Sequence, residues 1–285
     1  MSTLAPVLGQ DEYIEQAYFF HAFRMRQRDG RPSQEILSRM HEEILAITRL
    51  PMAIQFMATE LKHTGLLSSA VQRLPHYFTP FQGFVLSKAE EEGLRFSMDT
   101  ALEVLEYEAQ YRSQSPTPQG LFVYQFEVLC RNRLGYDEGL DAMMLDSFYD
   151  SDWRDFLEVV RRNIGEVEFA DLVYLRSEVY AVEHRARESI LELPPVLFGE
   201  KEGKIARANR GRDPLYFFAA LQRHLNYPRV PFLVRKDDPL QLLPTLLAKL
   251  REVEQRLKHL ENEARDRNRL QPVSPDEVIP IPLEE

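Results

Sequence analysis

Glu60-Leu61-Lys62-His63 is the segment whose residue types and spacing come nearest to a metal site. Residues three apart on a helix are neighbours on one face, so this carboxylate and imidazole can aim at a common point. Helical di-iron carboxylate proteins use two such pairs together with a Glu from each of two other helices. In this chain the pair occurs once. The residues three before the other histidines are Tyr18, Ser38, Arg73, Ala181, Leu221 and Arg256, none of them acidic. Glu43, Glu103, Glu106 or Glu178 could add carboxylates and His184 an imidazole, but nothing in the sequence fixes them in space. The reading that follows is a helical metalloenzyme holding iron or another transition metal at Glu60 and His63. The simpler account is a solvated glutamate beside a helix-end histidine.

A second chemistry is offered by Gly199 to Arg212 (GEKEGKIARANRGR). Lys201, Lys204, Arg207, Arg210 and Arg212 concentrate positive charge there, and the first four, three apart, would form a slowly drifting stripe on a helix. Such a stripe can neutralise phosphates or meet an acidic protein surface, which makes an anion- or nucleic-acid-binding module the third functional reading. Aromatic residues for base stacking are missing from it, and Glu200, Glu202 and Asp213 offset part of the charge. A solvated face paired with the protein's own acid is the plainer expectation.

Nucleophilic and phosphate-binding motifs are not found: no G-x-S-x-G, H-E-x-x-H, Walker A or G-x-G-x-x-G occurs. Cys130 lies in an apolar helical stretch and reads as a small core residue. As the one cysteine of the chain it cannot form an intramolecular disulfide, which suits a reducing compartment. The first ten residues lack a secretory pattern, and the apolar run Leu121–Cys130 is too short to span a bilayer. A cytoplasmic protein without a membrane partner is expected. A formal net charge of −10 disfavours non-specific binding to nucleic acid.

The elements carrying these residues are helical. Among 285 residues 44% are apolar and 28% charged, ordinary values for a globular chain. Apolar residues recur at helical spacing, and sustained alternation is rare. The spacing predicts helices over about 11–28, 33–49 (capped by Ser33) and from Pro51 to Gly65, with Leu50, Ile54, Met57 and Leu61 as the buried stripe of the last. Leu74–Phe81 reads as an aromatic loop. Helices follow over 82–93, 99–112, 121–133, 137–145 and 152–163, the last capped by Asp152. A long one over 167–187 has Leu172, Leu175, Val179, Val182 and Ala186 as its stripe, and Asp213-Pro214 opens another. Ser113–Gly120 (SQSPTPQG) reads as a linker. The expected organisation is a disordered N-terminus (1–10), two helical subdomains (11–112 and 121–232) joined by 113–120, a coiled-coil-type helix (239–269) and a disordered acidic, Pro-rich tail (270–285).

In that C-terminal helix Leu243, Leu246, Leu250, Val253, Leu257, Leu260 and Ala264 alternate three and four apart, the spacing of an a/d seam. In a parallel dimer Lys249 at g would face Glu254 at e of the partner, and Arg256 would face Glu261. Oligomerisation, or pairing with another protein's helix, through residues 243–264 is therefore expected. The first functional reading is a non-enzymatic interaction or scaffold protein, and no resident cofactor is expected with it.

Overall fold

The computed structural model describes residues 7–93, 95–185 and 194–232 (for Arg185 the backbone alone). It divides into two units, 1–233 and 234–285, so the seam from Leu243 to Ala264 and the acidic tail lie outside the described residues.

Thirteen helices occur among the described residues, with isolated backbone bridges and no strand between them. They are α1 (Gln10–Arg28), α2 (Ser33–Met40), α3 (Leu50–Thr64), α4 (Leu67–Gln72), α5 (Pro80–Glu90), α6 (Met98–Ser113) and α7 (Pro118–Asn132). α8 (Tyr136–Met144), α9 (Ser151–Asn163), α10 (Phe169–Leu175), α11 (Glu178–Arg185), α12 (Glu200–Ala208) and α13 (Pro214–Leu225) complete the series. The fold is all-α.

α1 packs most extensively on α6. Ties at both ends show that the two run antiparallel. Arg28 pairs with Asp99 (2.5 Å) at one end, and Gln10 Nε2 donates to the Ser113 carbonyl (2.9 Å) at the other. Between them Phe19, Phe20 and Phe23 are fully buried. α7 is the central helix. Its residues from Gly120 to Leu129 are all buried. Phe122 sits among the rings of Phe126, Trp153, Phe156, Phe169 and Phe198. One hydrophobic cluster runs from Leu8 to Val230, drawing buried side chains from both sides of Ser113–Gly120.

Several boundaries differ from the sequence expectation, each for a visible reason. α2 ends at Met40, not near Arg49, because α1 supplies partners for the backbone beyond it: Glu15 accepts the Leu45 N–H (3.1 Å) and Glu12 the Arg49 N–H (3.0 Å). Ser33 does not cap α2. It is the first helical residue and accepts from Gln27 Nε2 at 2.9 Å. α5 begins within the expected loop, where Thr79 and Gln82 form a reciprocal capping box. Ser97 and Asp150 cap α6 and α9, each preceding the expected start. α7 starts inside the expected linker, capped by Thr117.

The expected long helix over 167–187 is broken at Arg176-Ser177. The Arg176 carbonyl accepts from Leu197 N (2.8 Å) and Phe198 N (3.0 Å), and Glu178 N donates to the Phe198 carbonyl (2.9 Å). Backbone groups that would continue the helix are thereby occupied, and Leu175 and Val182 of the expected stripe stand exposed. α12 closes on this break through Gly203. A Cβ there would lie 2.5 Å from Ser177 Oγ and 2.7 Å from Ser177 Cβ, so only glycine fits. Gly65 ends α3 as expected, with φ of 74° in the left-handed region.

Candidate functional site around a buried arginine

Three elements converge on a polar centre inside this apolar body. α6 supplies Glu108 and Arg112 one turn apart, α7 supplies Gln125, and the turn between α8 and α9 supplies Asp146 and Tyr149. All five are buried. Arg112 Nε and Nη2 donate to Glu108 Oε1 at 3.2 and 2.9 Å, and Nη2 also forms an ion pair with Asp146. Gln125 Nε2 donates to Glu108 Oε1 at 2.7 Å, and the Tyr149 hydroxyl donates to Gln125 Oε1 at 2.8 Å. The second Asp146 oxygen accepts the Phe148 N–H at 3.0 Å.

Burial opposes charge throughout this centre, and the partners decide which groups keep it. Burial pushes the Glu108 carboxyl above the usual carboxylate range, although Arg112 pulls the other way. Burial also works against the Arg112 cation, but Asp146 and Glu108 outweigh it and hold the guanidinium protonated. Burial thus pushes Glu108 toward its protonated form while Arg112 stays a cation. Two polar atoms of this centre, Glu108 Oε2 and Arg112 Nη1, have no partner among the described residues. A buried donor or acceptor left unmade costs about 1–3 kcal/mol, so such atoms are uncommon in native interiors.

Arg112 also lines a cavity of about 150 Å³. Tyr13 and Phe148 line it too, and they flank the guanidinium, with ring centroids 5.9 and 5.8 Å from its carbon. Val7, Leu8 and Pro116 add apolar wall. Ser115 at the rim has φ of 57°, a left-handed conformation that a residue with a side chain adopts at a cost.

The sequence-predicted residues lie elsewhere. Glu60 is buried and paired with Arg73 Nη1 at 2.7 Å, while His63 is exposed one turn on. Among the described residues no group of three or more His, Cys, Asp or Glu is gathered so as to hold a metal ion. The other carboxylates considered are engaged separately: Glu103 and Glu106 with Arg24 (2.7 and 2.9 Å), Glu43 with Arg26 (2.6 Å).

In the basic segment the cations turn largely to the protein's own acid. Lys204 pairs with Glu200, Arg207 with Glu183 (2.6 Å), and Arg210 with Asp171 (2.5 Å) while stacking over Tyr174 at 4.1 Å. Lys201 and Arg212 are exposed. Helix α12 ends at Ala208, so Arg210 leaves the stripe that a continuous helix would have made.

Cys130 is largely buried, and burial pushes its thiol up to about 12, which keeps it un-ionised at neutral pH. No helix among the described residues is long and apolar enough to cross a membrane. Compared with protein-family models, curated proteins and solved structures, the chain gives no significant match.

Proposed function

We propose that the protein is a non-enzymatic interaction or scaffold protein that self-associates through its C-terminal helix. The observation that carries this reading is the seam from Leu243 to Leu260, in which apolar spacing and flanking charge agree on one physical role. Leucine dominates both a and d, and the g–e' pairs Lys249–Glu254 and Arg256–Glu261 are opposite in sign. The attachment of the preceding segment supports it. Tyr227 donates to Glu127 Oε2 (2.7 Å), and Asn132 Nδ2 donates to the Pro231 carbonyl (3.0 Å). Tyr227 and Pro231 are thereby tied to α7. A reducing compartment such as the cytoplasm suits its single, partly buried cysteine.

Solution mass tests the proposal on the full chain. The wild type is expected to show a concentration-dependent mass above that of the monomer. Replacing Leu250 and Leu257 by Asp should return it to 33.4 kDa while leaving the helical body folded. A wild type that stays monomeric at every concentration refutes self-association.

A further inference from the structure

We propose that the groove between α5 and α8 binds a small organic cation, an ammonium group on an apolar body. This site is independent of the C-terminal seam. The groove has a volume of about 470 Å³, within the range of sites that enclose a small molecule. Helical spacing builds both of its walls. Glu138, Asp141 and Ala142 of α8, with Leu145 at its C-terminal end, recur at intervals that put them on one face. On α5, Pro80, Phe84 and Ser87 do the same. Val71 and Phe78, both buried, close the floor. Leu145 is left 40% exposed at the rim, apolar surface that a ligand's body would cover.

The charge along the α8 edge selects the head group. Lys88 Nζ lies between Glu91 (2.9 Å) and Glu138 (2.7 Å). Arg161 lies between Asp141 (2.6 Å) and Glu158 (2.8 Å), and Arg162 also pairs with Glu158 (2.8 Å). Asp137, exposed one turn before Asp141, has no partner among the described residues. Five carboxylates thus share three cations. Arg73, beside Gln72 of the groove, is turned to Glu60 (2.7 Å). The surplus favours a cation over an anion, as does the net charge of −10. Lys88 is an internal precedent. Its ammonium stands 5.8 Å from the Phe84 ring centroid while it pairs with Glu138, so carboxylate and aromatic face act on one cation. The Ser87 hydroxyl, half-buried in the wall, makes no hydrogen bond among the described residues and can accept a further ammonium proton.

Naphthylmethylamine, protonated at neutral pH, is the probe, and naphthylmethanol is the same ring system without the charge. Titration of the full chain, by calorimetry and ligand-observed NMR, is expected to show one saturable amine site per chain with Kd below about 1 mM. The alcohol should bind at least about tenfold more weakly. Glu138→Gln combined with Asp141→Asn alters two exposed side chains and frees Lys88 and Arg161 at the edge. It should weaken the amine at least about tenfold and leave the alcohol unchanged. Ser87→Trp places a ring in the groove and should weaken both probes alike. No saturable amine binding to the wild type overturns the assignment. Equal binding of the alcohol also overturns it, because the charge would then have no role. Undiminished amine binding in the Glu138→Gln, Asp141→Asn variant does so too, and so does undiminished binding of both probes to Ser87→Trp, since the ligand would sit elsewhere.

Discussion

Arg112→Met tests whether the buried centre is a charged, coupled unit. The substitution keeps an unbranched side chain between Tyr13 and Phe148 and removes the cation. Asp146, 2% exposed at its side chain, then loses its ion pair. Removing one partner of a buried pair costs about 3–5 kcal/mol, because the remaining charge stays desolvated. Set against a total stability of about 5–15 kcal/mol, that is a large loss that a folded protein can survive. Trp153 is the single tryptophan and is 4% exposed in the core, so its fluorescence reports urea unfolding directly. The control is Arg112→Met combined with Asp146→Asn and Glu108→Gln, which removes both carboxyl charges with the cation and keeps the polar shapes. It should recover at least half of the loss. In Asp146→Asn the side-chain amide oxygen can still accept the Phe148 N–H that Asp146 holds at 3.0 Å. A loss below about 1 kcal/mol in the single variant would place the guanidinium among surface-like ion pairs and refute the reasoning. So would a triple variant no more stable than the single one.

Two further predictions concern pH and packing. Burial raises the folded-state pKa of Glu108 above its unfolded value. The stability it contributes is therefore fully present below the unfolded carboxylate range and lost as pH rises through the folded value. Glu108→Gln imitates the protonated acid, so the wild type should lose stability relative to this variant as pH is raised from about 4. Parallel urea midpoints from pH 4 to 8 would contradict this. At Gly203 an added methyl would meet Ser177 Oγ at 2.5 Å and Cβ at 2.7 Å. Overpacking of about 1–3 kcal/mol outweighs the roughly 1 kcal/mol that alanine gains in a helix. Gly203→Ala should thus lower Tm, and an unchanged or higher Tm would show that α12 has room to move.

Much of the architecture was legible because it is written locally. Helix α3 carries its start at Pro51, its stripe of Leu50, Ile54, Met57 and Leu61, and its stop at Gly65, all within one short stretch of chain. Asp213-Pro214 opens α13 in the same way. Thr79-Pro80-Phe81-Gln82 and Thr117-Pro118 were equally legible as a capping box and an N-cap with first-turn proline, although aromatic and proline content argued for a loop and a linker there. The break at Arg176-Ser177 is of another kind. It exists because residues 197 and 198, far along the chain, take the backbone groups that a helix would use. No local pattern encodes that competition. The end of α2 has the same origin, in carboxylates sent from α1.

The buried centre was illegible for a related reason. Glu108 and Arg112 are spaced four apart on a helix, the commonest signature of a solvated surface pair. What reverses that meaning is the company of α6, which is packed on one side by α1 and touched by α5 and α7 on others. Of its sixteen residues ten are buried, and Glu106, Glu108 and Arg112 are among them. A helix covered on nearly every side should be apolar on nearly every side, and α6 is not. That contradiction can be read once the packing is known. Polar groups kept inside a helix cost desolvation, and the fold offsets most of it with Asp146, Gln125 and Tyr149. It leaves Arg112 Nη1 without a partner among the described residues. A centre built only for stability could have used apolar residues of the same volume at no loss. The polar residues retained here therefore cost stability that an apolar centre would keep, most of all at Glu108 Oε2 and Arg112 Nη1.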